Sequence, residues 1–257
     1  MSGMVAPPAP SFLEVSGVTL RYRTATSHVT ATYRVNFAVE QSDRFVMLGP
    51  SGCGKSTLLK AIGGYMVPAE GGIALRGVPI TRPGPDRIMI FQEFDQLLPW
   101  KTVTENVAFP LVASGKLDRR KAKEAAAHFV EGVGLGRFAH SYPHTLSGGM
   151  KQRVAIARGL AMGPDLLLMD EPFAALDELT RRRMQDELLA LLADAPITLI
   201  FVTHSISEAI RIGSRILLLS PHPGRVRIEL PGLPADAPAA AAAELEREIH
   251  GRLFEHA

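Results

Sequence analysis

Three short stretches carry residue types and spacings that can handle phosphate. Gly49-Pro50-Ser51-Gly52-Cys53-Gly54-Lys55-Ser56-Thr57 fits G-x-x-x-x-G-K-[ST], after the apolar run Phe45–Leu48 and before helical spacing at Leu58–Ile62. Glycines there let successive N–H groups turn inward as an anion nest, and a helix start adds partial positive charge. Lys55 can reach the terminal phosphates of a nucleotide, and the Ser56 hydroxyl suits Mg²⁺. Leu166–Met169 is an apolar run ending in Asp170 and Glu171. Carboxylates at the end of a buried strand are costly without a partner. Asp170 is therefore expected to hold Mg²⁺ through water, and Glu171 to polarise an attacking water as general base.

Two single residues join this set. His204 ends the run Thr198–Thr203 and would emerge beside the phosphate loop, within reach of a γ-phosphate. Gln92 follows Arg87–Phe91, and its amide oxygen can ligate Mg²⁺ or orient water. Between them lies Leu146-Ser147-Gly148-Gly149-Met150-Lys151-Gln152-Arg153. Ser147 can cap the helix that follows, whose first N–H groups near Gly148 and Gly149 would face an anion. Two such helix starts do not easily grip one γ-phosphate within one chain. Two chains arranged head to tail can.

The elements that must position these residues are legible in outline. Phe12–Tyr22 and Tyr33–Val39 alternate apolar and polar residues, as antiparallel strands do. Phe45–Leu48, Arg87–Phe91, Leu166–Met169, Thr198–Val202 and Arg215–Leu219 are short apolar runs expected of strands buried on both faces. From Leu117 to Val133 the spacing is helical, with Leu117, Phe129 and Val133 on or near one face. The expected organisation is one α/β domain over residues 1–257. It has a flexible start at 1–11, a helical insertion at about 93–157 and a peripheral Pro/Ala-rich tail with a mixed-charge helix at 231–257.

Composition narrows the function classes. Of 257 residues, 28 are basic and 26 acidic, a net charge of +2 that gives no electrostatic case for nucleic acid or lipid. Cys53 is the one cysteine, so no intrachain disulfide can form; at an interchangeable loop position it suggests no redox role. Residues 1–11 lack the basic start and apolar stretch of a secretory signal. No apolar run approaches the ~20 residues that span a bilayer.

Together these motifs resemble, in order and spacing, the nucleotide-binding subunits of ABC transporters over about residues 12–228. The resemblance implies a P-loop ATPase fold with a mostly parallel core sheet, an N-terminal antiparallel β-subdomain and an inserted helical subdomain. It implies ATP and Mg²⁺, two nucleotides held between the phosphate loop of one copy and the LSGG run of the other, and an integral-membrane permease as partner. By the same resemblance Gln92 is the permease-sensing glutamine, Ala175-Leu176-Asp177 the D-loop and His204 the switch histidine. Tyr22 is the expected adenine-stacking ring, with Tyr33 its rival. Pro83–Arg87, Phe91–Trp100 and Pro223–Val226 look like the nitrate/sulfonate/taurine importer group. An exposed apolar patch at Leu97–Trp100 would suit permease docking; burial in the helical block is the alternative. The implied setting is the cytoplasmic face of the inner membrane, with solute delivered by an extracytoplasmic binding protein. Import of another small solute, such as a pyrimidine-type precursor, or a soluble non-transport role, are the alternatives. Three positions depart from the pattern: Gln41-Ser42-Asp43 in an expected surface turn, Met150 after the glycines, and Ser205 after His204.

Overall fold

The computed structural model describes residues 11–23, 28–92, 96–174, 176–193, 197–234 and 236–254. Most of the flexible start expected at 1–11, the first residues of the helical insertion at 93–95, and Ala175 of the expected D-loop lie outside them. Strands β1 (Leu13–Arg23), β2 (His28–Val39), β4 (Glu70–Leu75) and β5 (Val78–Pro79) form an antiparallel sheet in the order β2-β1-β4-β5. The second sheet runs β10-β9-β3-β8-β7-β6 and comprises β3 (Arg44–Leu48), β6 (Arg87–Ile90), β7 (Leu166–Asp170), β8 (Thr198–Thr203), β9 (Arg215–Leu219) and β10 (Val226–Pro231). Five of these strands are parallel, and β10 turns back antiparallel on β9.

Successive side chains of a strand point to opposite faces, and this sheet is covered on both. Val46, Leu48, Leu167, Met169, Leu199 and Phe201 join one apolar cluster with the helices α2 (Val103–Ala113), α3 (Arg119–Gly132), α4 (Gly148–Ala161) and α5 (Glu178–Ala193). Their neighbours Phe45, Met47, Leu166, Leu168, Ile200 and Val202 join a second, with α1 (Lys55–Ile62) and the antiparallel sheet. This double burial is why the central strands read as unbroken apolar runs.

Several elements differ from expectation. α3 buries Ala122, Ala126 and Val130 beside the expected Val133, with Leu117 and Phe129 packed half-buried against the same cluster, and its small side chains let it lie close against α2 and α4. The tail is helical from Ala239 to Phe254 (α7), so the alanine run belongs to the helix. Its Leu245 and Ile249 are buried in the first cluster, and Arg227 donates to the Arg252 and Leu253 carbonyls. Nor is Asp43 confined to a surface turn. It accepts from Arg215 Nη1 at 2.7 Å, while its carbonyl accepts the Leu199 N–H, tying β3 to β8 and β9.

α2 starts with a capping box: Thr102 Oγ1 accepts the Glu105 N–H, and Glu105 Oε2 accepts the Thr102 N–H at 3.0 Å. That backbone hydrogen bond is the main cause holding the Glu105 carboxyl below its ordinary 4.5. A lowered acid stabilises the fold above its unfolded pKa and ceases to as pH falls through the folded one. Thr102→Ala is expected to cost about 1 kcal/mol in denaturant unfolding at neutral pH. The gap from wild type should change little as pH drops below 4.5, because the substitution leaves in place the backbone N–H that the Glu105 carboxylate accepts.

Candidate functional site

Strand register brings the chemistry to one edge of the parallel sheet. Leu48 pairs with Thr203, and Asp170 with Val202. Gly49, Glu171 and His204 therefore leave neighbouring strands at the same end, where open α/β sheets bind ligands. There a cleft of about 330 Å³ is lined by the loop from Ser51 to Thr57 together with Tyr22, Ala31, Gln92 and Glu171.

The loop's shape depends on two glycines. Gly54 caps α1 at φ 96°, and a Cβ there would stand 2.6 Å from the Ala31 carbonyl oxygen. Gly52 has φ 79°, also a conformation that side chains resist. Lys55 is buried and donates to the carbonyls of Gly49 at 2.7 Å and Pro50 at 3.0 Å, which folds its ammonium back over the loop. Gly49 is packed against Cys53 Sγ and the Leu219 carbonyl. Cys53 itself points into the second core, where burial pushes its thiol pKa up. A buried, protonated thiol is inert. Gly49, Pro50 and Cys53 thus shape the loop without their side chains lining the cleft.

Ser56 Oγ donates to Asp170 Oδ1 at 2.8 Å. Burial drives the Asp170 pKa up, the Ser56 hydrogen bond opposes this, and the Glu171 charge adds to the rise. An ionised carboxylate so poorly solvated gains from a cation. Ser56, Asp170 and the cleft-lining Gln92 offer hard oxygen donors. Among the described residues no group of three or more His, Cys, Asp or Glu could cage a metal. That donor set fits Mg²⁺, which keeps water and phosphate oxygens as ligands, better than it fits an all-protein site.

Glu171 adopts φ 42°, a left-handed conformation rare for a side chain of this kind. Its N–H donates to the Val202 carbonyl at 3.0 Å, which pins the residue to β8. The exposed ring of His204 places Nδ1 at 2.9 Å from Glu171 Oε2. The sequence expects each residue near a phosphate; their direct contact is an addition. Tyr22 is half exposed in the cleft wall, whereas the Tyr33 ring is covered by the Arg225 guanidinium at 4.5 Å. Of the two rings, Tyr22 is the one open to the cleft.

Ser147, Gly148 and Gly149 are not among the residues lining this cleft. Ser147 Oγ accepts the Met150 N–H at 3.3 Å and caps α4, leaving the helix start at the surface. Met150 packs against the first cluster, so the residue that departs from the pattern serves the core. Ser205, the other departure, caps α6 (Ile206–Ile212) through the Glu208 N–H. The Leu97–Trp100 stretch divides between its two readings. Leu97 is buried in the first cluster and Trp100 is 70% exposed. Buried Asn106 holds the turn between them, with Oδ1 accepting the Leu98 N–H at 2.7 Å and Nδ2 donating to the Leu98, Lys101 and Thr102 carbonyls. Nothing in the local sequence marks Asn106 for this duty, because its partners lie in an irregular turn.

Comparison with known proteins agrees with this geometry. The ABC transporter family model matches residues 33–174. A taurine import ATP-binding protein of Rhizobium johnstonii is 49% identical over 198 residues, 77% of this chain and 75% of that protein. A nitrate import ATP-binding protein of Synechococcus elongatus is 39% identical over 243 residues, 94% of this chain and 88% of that protein. Among solved structures, a dimeric ATP-binding cassette in a post-hydrolysis state with ADP and Pi superposes with a TM-score of 0.77 at 32% identity, covering 86% of this chain and 99% of that one.

Proposed function

The chain belongs to the ABC transporter family of ATPases, and on that premise we propose that it energises import of a small solute through a membrane permease. The carrying observation is a cleft that gathers the phosphate loop and Glu171, while a second anion-type helix start at Ser147 stands outside it. One chain supplies half of each of two sites, so the working unit is a head-to-tail pair. In this reading the loop amides and Lys55 hold the ATP phosphates and Tyr22 stacks on adenine. Ser56, Asp170 and Gln92 would hold Mg²⁺, which would supply charge neutralisation at the transferred phosphate. Glu171 takes the proton of the attacking water, and His204 at 2.9 Å orients that carboxylate and faces the γ-phosphate.

No described helix is long and apolar enough to cross a membrane; in this reading a membrane permease carries the solute path. We assign docking to the helical face carrying Trp100. There Lys101 sits 5.3 Å over the Phe109 ring beside a groove also lined by Arg119 and Lys123. The chain then works at the cytoplasmic side of the membrane, and an extracytoplasmic binding protein brings the solute. The two relatives handle taurine, an aminosulfonate, and nitrate, which favours a small oxyanion as cargo.

Reconstitution with the permease and binding protein tests this. ATP turnover should rise when taurine, nitrate or an alkanesulfonate is supplied, and the responding solute names the cargo. A chain that hydrolyses ATP but copurifies with ribosomes rather than a membrane polypeptide would overturn the importer.

A further inference from the structure

Behind His204 lies a buried carboxylate that the hydrolytic reading does not use. Glu208 is 6% exposed, and a carboxylate so enclosed is costly unless its oxygens are satisfied. Its Oε2 accepts the Thr203 hydroxyl at 2.5 Å. Its Oε1 accepts Gln185 Nε2 at 3.2 Å and lies 3.7 Å from Arg181 Nε. With the hydroxyl proton directed at Glu208, a Thr203 Oγ1 lone pair is left for the Ser205 N–H at 3.0 Å. One hydroxyl therefore clasps the backbone on both sides of His204. Glu208 sets which way that hydroxyl points.

Arg181 carries the connection further. Its Nη2 donates to the Leu176 carbonyl at 2.8 Å and its Nε to the Phe173 carbonyl at 3.4 Å. It thereby grips the turn that follows Glu171. Leu176 in turn reaches the signature helix: its Cδ2 is 3.2 Å from where a Cβ on Gly149 would stand. The contacts run unbroken from the start of α4, through Leu176, Arg181, Glu208 and Thr203, to His204 and its partner Glu171.

We propose that Glu208 is a positioning residue for His204, and that through Arg181 it links His204 to the carbonyls of Phe173 and Leu176, the latter packed on signature Gly149. The inference rests on the reading of Glu171 and His204 as the groups that activate water. Arrival of a partner chain at Ser147–Gly149 would press on Leu176, and the relay passes that displacement to the hydrolytic pair.

The test is steady-state ATP turnover of the full chain with Mg²⁺, with equilibrium ATP binding measured beside it. Thr203→Val and Glu208→Ala should each lower kcat about tenfold to a hundredfold, as loss of a group that orients a reacting side chain does, with KM and ATP affinity nearly unchanged. Thr203→Ser, which keeps the hydroxyl, should restore kcat. The Thr203→Val/Glu208→Ala pair should be no worse than either alone, as expected of one shared contact. Should Glu208→Ala fail to fold, the Val and Ser replacements at Thr203 still decide. Equal kcat for the two, or a fall confined to KM, overturns the relay. Glu171→Gln, run in parallel, separates the two ideas. If it retains turnover, the reading of the hydrolytic pair fails; if it is inactive while Thr203→Val is fully active, the relay alone fails.

Discussion

Glu171→Gln lowers ATP turnover by about 10²–10⁴, the usual worth of a general base, while ATP binding survives. The amide keeps the size of the side chain and leaves the loop amides, Lys55, Ser56 and Asp170 untouched, and these residues carry the proposed nucleotide contacts. What is lost is the negative oxygen now 2.9 Å from His204 Nδ1. The backbone at Glu171 is held at φ 42° by the Val202 carbonyl, so the substituted side chain starts from the same position. Phosphate release and equilibrium binding of a fluorescent ATP analogue separate the two effects. Near-normal hydrolysis would sink the assignment of Glu171.

Ser147→Arg abolishes nucleotide-dependent dimerisation and, with it, turnover. Ser147 is exposed at the first turn of α4, outside the described lining of the chain's own cleft, and in the proposed pairing it meets a phosphate held by another copy. A guanidinium there adds bulk where the partner must approach and positive charge at the positive end of a helix. The lost cap costs only about 1 kcal/mol, so the fold survives and thermal melting checks that it does. Light scattering with ATP and Mg²⁺ should report monomers. A variant that still pairs with ATP would refute the shared site.

Much of the site is legible in the sequence because its parts are local. The phosphate loop, the Asp170-Glu171 strand end and the Ser147 cap each lie within a few residues of the element that presents them. Parallel strands are legible for a related reason, since burial on both faces leaves no room for polar alternation. What escapes the sequence depends on distant partners. α2 carries Pro110 and apolar residues on several sides, burying Val103, Val107, Ala108 and Leu111 while Phe109 stays exposed, and no single stripe announces it. The buried face of α3 is made of alanines, which periodicity undervalues. The Glu171–His204 contact joins residues 33 positions apart across a strand register. Glu208, Thr203 and Arg181 look like ordinary surface residues of two helices and a strand until α5 and α6 are packed together. Asp43 looks like a turn residue until Arg215 arrives from β9.

The central sheet has a consequence for how this chain can change over generations. Val46 and Met47 are covalent neighbours, yet one packs with the helices and the other with the phosphate-loop helix and antiparallel strands. Size changes within one cluster must be compensated inside that cluster, whereas changes on opposite faces should combine almost independently. Epistasis is thus partitioned by a layer one residue thick. A lineage can remodel the helical side, where we assign docking, to suit a new permease while the phosphate-loop side drifts on its own schedule.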